Sequence, residues 1–177
     1  MSAAQVRDVA AGDAEAIALI YGHHVLHGTA SYEVEPPSTE DILAKIVRIT
    51  GRGWPFLVAS AEGKIAGYAY AEQLRDRAAY RFTCENSIYV HPDRLGQGIG
   101  KRLLIELCRR AEQHGFRQMI AVIGGGETAS VALHQSCGFD VVGRLRSVGW
   151  KKGRWLDTVY MQRGLGAGAG EPGGSDI

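Results

Sequence analysis

Apolar residues recur at helical spacing in two stretches of the first fifty residues, and from Phe56 onward the period shortens to two. The segment VRDVA alternates as a short strand would. Asp13 then stands where a capping residue belongs, ahead of a helix whose Ile17, Ile20 and Tyr21 share one face and which fades by Gly28. Ser38 followed by Asp41 has the form of a capping box, and Ile42, Ile46 and Ile49 predict a second amphipathic helix up to Gly51. FLVAS, a turn at Glu62-Gly63 and KIAGYAYAEQ predict an antiparallel hairpin, with a longer strand over 80–90. Past three alternating glycines, Ile99, Leu103, Leu104, Leu107, Cys108 and Ala111 form a helical stripe that ends at Gly115, a natural left-handed stop. A strand at 119–123, a short helix at 129–136, and strands near 139–146 and 157–163 complete the pattern. The order is that of a mixed α/β (α+β) domain: a largely antiparallel central sheet flanked by helices, with one βαβ unit at the glycines.

Composition narrows this picture. A chain of 177 residues with 45% hydrophobic content fits one globular domain. The segment GLGAGAGEPGGSDI, from Gly164, is too poor in large apolar groups to pack, so the domain is placed at 1–165 and a flexible tail at 166–177. A net charge of +1, with Lys and Arg scattered, supplies no field that would attract nucleic acid or an anionic membrane. The start lacks a charged leader with an apolar run, and no stretch approaches the ~20 apolar residues of a membrane span, so a cytoplasmic protein is expected. Cys84, Cys108 and Cys137 show no Cys-x-x-Cys spacing, which argues for buried, reduced thiols rather than disulfides or zinc. His23, His24 and His27 contain an i, i+4 pair but no third ligand, and no metal is expected.

The stretch RLGQGIGK follows directly on the strand-like ENSIYVHPD. A helix N-terminus carries unpaired N–H groups and the positive end of the helix dipole, and glycine lets backbone approach an anion closely. Lys101 and Arg102 in the first turn oppose that dipole unless an anion binds there. An ordinary strand-to-helix turn that uses glycine for its freedom is the alternative. A Walker loop is excluded because Arg102, not Ser or Thr, follows Lys101. A dinucleotide fingerprint is excluded by the Gly-x-Gly-x-Gly spacing and by the position past mid-chain.

Gly98-x-Gly100 after a strand, a long helix, another strand and a short helix ending in LHQSCGF resembles the GNAT superfamily of acyl-CoA-dependent N-acyltransferases. ENSIYVHP, AVIGG, SVALHQSCGF and VGWKKGRWLDTVYMQR are similar to its phosphinothricin and methionine sulfone/sulfoximine acetyltransferase branch. With the TASYEVEPP loop, these segments span nearly the whole chain. The resemblance implies acetyl-CoA as cosubstrate, with the pyrophosphate on Gly96, Gln97, Gly98, Ile99, Gly100 and Lys101. It also implies that the backbone of Ile88, Tyr89 and Val90 pairs with the pantetheine arm, and that Glu127 and Ser136 lie along the cofactor. Leu95 stands where the superfamily pattern starts with Gln or Arg, Glu127 where many relatives have Asn, and His134 where many have tyrosine.

Acetyl transfer to an amine needs a held thioester, a proton acceptor for the ammonium and donors for the oxyanion. From strand position alone, Glu85 is either a solvent-facing glutamate or the proton acceptor, and the resemblance selects the second. Alternation puts Glu85, Ser87 and Tyr89 on one face and Ile88 and Val90 on the other. His134 is either a packed histidine or, with water as the alternative, the proton donor to the departing thiolate. Arg75, Arg77 and Arg81 crowd seven residues with Tyr80 among them, and Glu72 and Asp76 could neutralise part of that charge. The branch resemblance makes these arginines, with Tyr80 and Tyr32, binders of a carboxylate- or phosphinate-bearing amino acid. It further implies a homodimer, for which an edge strand near 157–163 would be the pairing hazard. Acetylation of protein N-termini or lysines, and a catalytically silent CoA-binding module, are the rival functions.

Overall fold

The computed structural model describes residues 4–170. Seven strands form one sheet in the order β1-β2-β3-β4-β5-β7-β6. They are β1 (Gln5–Asp8), β2 (Phe56–Ala61), β3 (Lys64–Gln73), β4 (Thr83–Val90), β5 (Gln118–Gly124), β6 (Asp140–Lys151) and β7 (Arg154–Gly164). Among the described residues only β4 and β5 pair in parallel; every other neighbour is antiparallel. That follows from connectivity: a parallel pair needs a crossover, and the helix α3 (Ile99–His114) is the one that links β4 to β5.

Helices cover both faces of the sheet. Helices α1 (Ala14–His27) and α2 (Thr39–Thr50) bring Ile17, Ile42 and Ile46 against Val58, Tyr68 and Tyr70. On the other face, Leu103 and Leu107 of α3 pack with Leu57, Ala69 and Met119. Leu57 and Val58, neighbours in sequence, therefore serve opposite layers, as strand alternation requires. The capping box at Ser38 forms as expected: the Asp41 amide donates to the Ser38 hydroxyl at 3.1 Å, and the Ser38 amide donates to the Asp41 carboxylate at 2.9 Å.

Four expectations change. Asp13 precedes α1 but its side chain caps no amide of that helix; its carboxylate takes both Arg7 guanidinium nitrogens, at 2.7 and 2.8 Å, and the Ala10 amide at 2.8 Å, at the start of a 3-10 turn over Ala11–Asp13. Strand β4 begins at Thr83, because the Leu74 amide closes on the Thr83 carbonyl at 3.0 Å and leaves residues 75–82 as a loop with a 3-10 turn at Ala78–Tyr80. The last two strands run further than their apolar pattern suggests, joined by a tight turn with positive φ at Lys152 (52°) and Gly153 (69°). Finally, β7 is interior, so residues 157–163 are not a sheet edge; the edges are β1 and β6. Trp150 and Trp155 are exposed at 60% and 61% on that hairpin, edge to face with centroids 5.3 Å apart.

The expected tail at 166–177 starts as turns whose carbonyls at Gly168 and Gly170 each accept from Arg117 at 3.3 Å. Backbone polarity, not apolar area, makes these contacts; residues 171–177 lie outside the described residues. Among the described residues no helix is long and apolar enough to cross a membrane.

Candidate active site

The site is a fork in the sheet. Strands β4 and β5 pair only where residues 83–86 face 118–121. Beyond Asn86, β4 stays with β3 as far as the Val90–Gly67 pair, while β5 stays with β7 as far as the Gly124–Thr158 pair. A wedge opens between them. The loop after α1 fills its far side: the carbonyls of Thr29 and Ala30 come within 3.0 Å of where a Gly124 Cβ would sit.

The phase of the β3–β4 ladder determines which amides face this wedge. Leu74 donates to the Thr83 carbonyl at 3.0 Å and His91 to the Ala66 carbonyl at 2.9 Å, so Thr83, Glu85, Ser87, Tyr89 and His91 are the residues bonded to β3. The alternate residues turn their N–H and C=O the other way: Cys84 and Asn86 toward β5, Ile88 and Val90 into the wedge. The Val90 carbonyl is taken by His24 Nε2 at 2.8 Å, which leaves the Ile88 backbone and the Val90 N–H facing open space. The Tyr89 backbone belongs to β3, so only its ring, 4.9 Å from that of Tyr21, contributes here.

Alternation also separates side chains. Glu85, Ser87 and Tyr89 project toward α1, into a cavity of about 440 Å³ that they share with Ser31, Tyr32 and Glu33. Burial pushes the Glu85 carboxyl above the usual carboxylate range; the charge of Arg75 opposes this and Glu72 adds to it. A carboxylate that ionises closer to neutrality is the better matched proton acceptor for an amine.

On the opposite face, Asn86 and His134 brace the vertex of the fork. His134, in α4 (Thr128–Ser136), is 2% exposed, with Nδ1 2.8 Å from the Ser130 carbonyl and Nε2 3.1 Å from Asn86 Oδ1. The Asn86 amide donates to the Ile120 carbonyl at 3.3 Å. Burial lowers the His134 pKa, and the Ser130 carbonyl opposes that. Both ring nitrogens are engaged within the protein, so His134 would have to release Asn86 to protonate a thiolate.

The glycine loop lies at the other end of the wedge. Gly96 (φ 73°) and Gly98 (φ 75°) hold left-handed conformations, and Gly98 caps α3. Gly100 has helical backbone; its need is space, since a Cβ there would lie 3.1 Å from Leu133 Cδ2. The first amide with a carbonyl partner in the helix is that of Arg102, bonded to the Gly98 carbonyl at 3.1 Å, so those of Ile99, Gly100 and Lys101 point out of the helix end. This loop lines a groove of about 540 Å³ that also takes in His24, Val90 and Glu127. Groove and cavity share Ala30, Ile88, Tyr89 and Ser130 in their linings, so they adjoin along the free edge of β4.

Several expected residues lie elsewhere. Gln97 turns back to the Asp93 carbonyl at 3.3 Å. Ser136, on the last turn of α4, donates to the Leu133 carbonyl at 2.8 Å, outside the groove. Glu127 does line the groove, with its carboxylate bonded to the Thr29 hydroxyl. Arg75, Arg77, Tyr80 and Arg81 line neither space, because β4 starts too late to aim them inward. Arg81 lies 4.4 Å over the Phe82 ring. Glu72 and Asp76 do not neutralise this cluster: they pair with Arg48 at 2.6 Å and Arg52 at 3.8 Å. Of the three arginines, only Arg75 acts on Glu85 through its charge. Sequence reasoning missed Asn86, whose one legible signal was a polar side chain on the Ile88 and Val90 face, and Glu33 and Ser31 within the TASYE loop.

A forked sheet beside a glycine-capped helix is an arrangement with known relatives, and the Acetyltransferase (GNAT) family model matches residues 23–139. The chain belongs to the GNAT acetyltransferase family. It is 51% identical over 167 residues to a phosphinothricin N-acetyltransferase of Alcaligenes faecalis, across 94% of this chain and 85% of that protein. It is 38% identical over 163 residues to an L-methionine sulfoximine/L-methionine sulfone acetyltransferase of Pseudomonas paraeruginosa, across 92% and 95% of the two chains. The crystal structure of a phosphinothricin acetyltransferase from Sinorhizobium meliloti in complex with AcCoA superposes with a TM-score of 0.94 at 49% identity, covering 96% of this chain and 92% of that one. This GNAT acetyltransferase is thus an acyltransferase, with the single domain and mixed sheet expected for it.

Proposed function

We propose that this acetyltransferase moves the acetyl group of acetyl-CoA to the α-amine of a small amino acid or analogue, with phosphinothricin, methionine sulfone and methionine sulfoximine as the leading candidates. One observation carries the reading: the groove at the glycine loop adjoins the cavity that holds Glu85, and the free backbone edge of β4 at Ile88 lines both. The amides of Ile99, Gly100 and Lys101 suit the pyrophosphate, and the Lys101 side chain adds positive charge. Ile88 and the Val90 N–H suit the pantetheine amides and the thioester carbonyl, as an added strand would. Glu85 accepts the ammonium proton, directly or through a water. The neutral amine nitrogen then bonds to the thioester carbon, the C–S bond breaks, and the nitrogen loses its extra proton, which reaches the departing thiolate through water or His134, to leave a neutral amide and a thiol.

Direct transfer is favoured over an acyl-enzyme. Cys84, Cys108 and Cys137 are buried on the α3 side, and burial pushes the Cys108 thiol up to about 11. Ser130 faces the cavity, but its hydroxyl stands 3.5 Å from a His134 nitrogen already engaged with the Ser130 carbonyl.

A panel of amines offered with acetyl-CoA, read by thiol release, tests the substrate. Amino acid analogues bearing a carboxylate or phosphinate should outperform simple amines, and Arg75→Ala should raise their KM more than Arg77→Ala or Arg81→Ala. Equal turnover of amines without an acidic group, or a preference for peptide N-termini, would replace this reading.

A homodimer and a cytoplasmic location complete the proposal. Strand β6 leaves an edge with Val141, Val142 and Leu145 exposed beside Trp150 and Trp155, an apolar border suited to a second copy. Light scattering at micromolar concentration should give about twice the chain mass of 19.1 kDa, and a value near that mass would count against it. Three free, buried thiols suit a reducing compartment.

A further inference from the structure

Lys151, the last residue of β6, is 6% exposed, and its ammonium donates to the Ser31 carbonyl at 2.7 Å. Among the described residues it joins no ion pair. A buried ammonium with a single neutral acceptor is costly, so the contact it makes invites a reason. Ser31 is itself 5% exposed, and its hydroxyl meets Tyr21 Oη at 2.8 Å and accepts the Glu33 amide at 3.1 Å.

Two residues earlier in β6, Gly149 makes room for the neighbour of Ser31. A Cβ at Gly149 would lie 2.6 Å from Tyr32 Cε1, and Tyr32 Oη donates to the Asp157 carbonyl at 2.9 Å and meets Thr158 Oγ1 at 2.6 Å. Gly149 is where β6 rejoins β7 after an irregularity that begins at Leu145. Asp157 holds that bulge with the other end of the residue: its carboxylate accepts the Ser147 amide at 3.0 Å. One hairpin end thus grips Ser31 and Tyr32, and these with Glu33 form part of the wall of the cavity that Glu85 also lines.

We propose that the end of the β6–β7 hairpin positions the acceptor amine, with Lys151 and Gly149 as positioning residues that hold the 31–33 wall against the cavity. The proposal rests on the reading of that cavity as the acceptor site. Neither residue lines the groove at the glycine loop, so their influence falls on the amine and not on the cosubstrate.

The test compares Lys151→Met and Gly149→Ala with the parent. Loss of a charge-assisted hydrogen bond should raise the KM for the best amine about tenfold. The kcat should change little, and the CoA dissociation constant measured by calorimetry should stay at the parent value. Hydrogen exchange of the 31–33 amides should quicken in both variants, a readout that depends on no substrate. Gly149→Ala removes no charge and no hydrogen bond, so it decides the matter if Lys151→Met fails to fold. Unchanged exchange at 31–33, an unchanged amine KM, or an equal loss of CoA affinity would overturn the proposal. If the parent acetylates no amino acid at all, the acceptor reading fails, while the exchange measurement still decides whether the hairpin holds the wall.

Discussion

Glu85→Gln is expected to lower kcat by ~10²–10⁴-fold, the usual cost of losing a positioned proton acceptor, while CoA affinity stays at the parent value. Glutamine keeps the size of the side chain and its place in the cavity but cannot take the ammonium proton. The parent's pH profile should carry the same information. Burial raises the Glu85 pKa, and only the carboxylate form accepts a proton, so kcat/KM should fall as pH drops through that raised pKa, at higher pH than for an exposed glutamate. That acid limb should vanish in Glu85→Gln. The stability sign runs the other way. A carboxyl whose folded pKa is raised contributes most stability below its unfolded pKa and loses it as pH rises through the folded one. At neutral pH the glutamine variant should therefore be no less stable than the parent. A variant that keeps parental kcat would remove Glu85 from the mechanism, and one that loses activity only in proportion to folded fraction would make it structural.

Gly98→Val should raise the CoA dissociation constant ~10²-fold or more. Gly98 sits at φ 75°, where a β-branched residue is strained, and the chain must shift to relieve it. Any such shift misaims the amides of Ile99, Gly100 and Lys101, and each charge-assisted bond to phosphate carries about 1.5–3 kcal/mol, with each 1.4 kcal/mol a factor of ten. Gly100→Ala should do less. Its added Cβ meets the end of the Leu133 side chain, which can give way, and its backbone is already helical. Calorimetry with CoA on folded variants makes the comparison, with circular dichroism as the check on the fold. Gly98→Val that folds and binds CoA as the parent does would mean that the loop is only a strand-to-helix turn.

Much of the fold was legible because its causes are local. Ser38 and Asp41 announced α2 through hydrogen bonds three residues apart, and Ile99, Leu103 and Leu107 announced α3 through a repeat that one buried face imposes. The long end of the last hairpin was not legible. Residues 147–151 show little alternation because Gly149 is there for Tyr32, and the sharp turn at Lys152 and Gly153 is marked by one glycine. Strand position alone left Glu85 open to a solvent-facing reading, and it was the family resemblance that selected it as the proton acceptor. The arginine cluster was misplaced because its direction depends on where β4 begins, and a hydrogen bond from Leu74 to Thr83 decides that.

The sequence by itself determined the elements, the glycine-capped helix with its outward amides, the face of β4 that carries Glu85, and the resemblance that named the chemistry. Periodicity, capping and turn residues act within a few positions, so each leaves its mark in the order of amino acids. Only the tertiary structure decided that β4 and β5 part after Asn86, that β7 is interior and β6 an edge, and that His134 is bound on both sides. It alone brought Lys151 to Ser31, 120 positions away. Contacts of that kind depend on how the layers pack and which strand ends diverge, and packing between distant segments imposes no period that a single chain of letters can show.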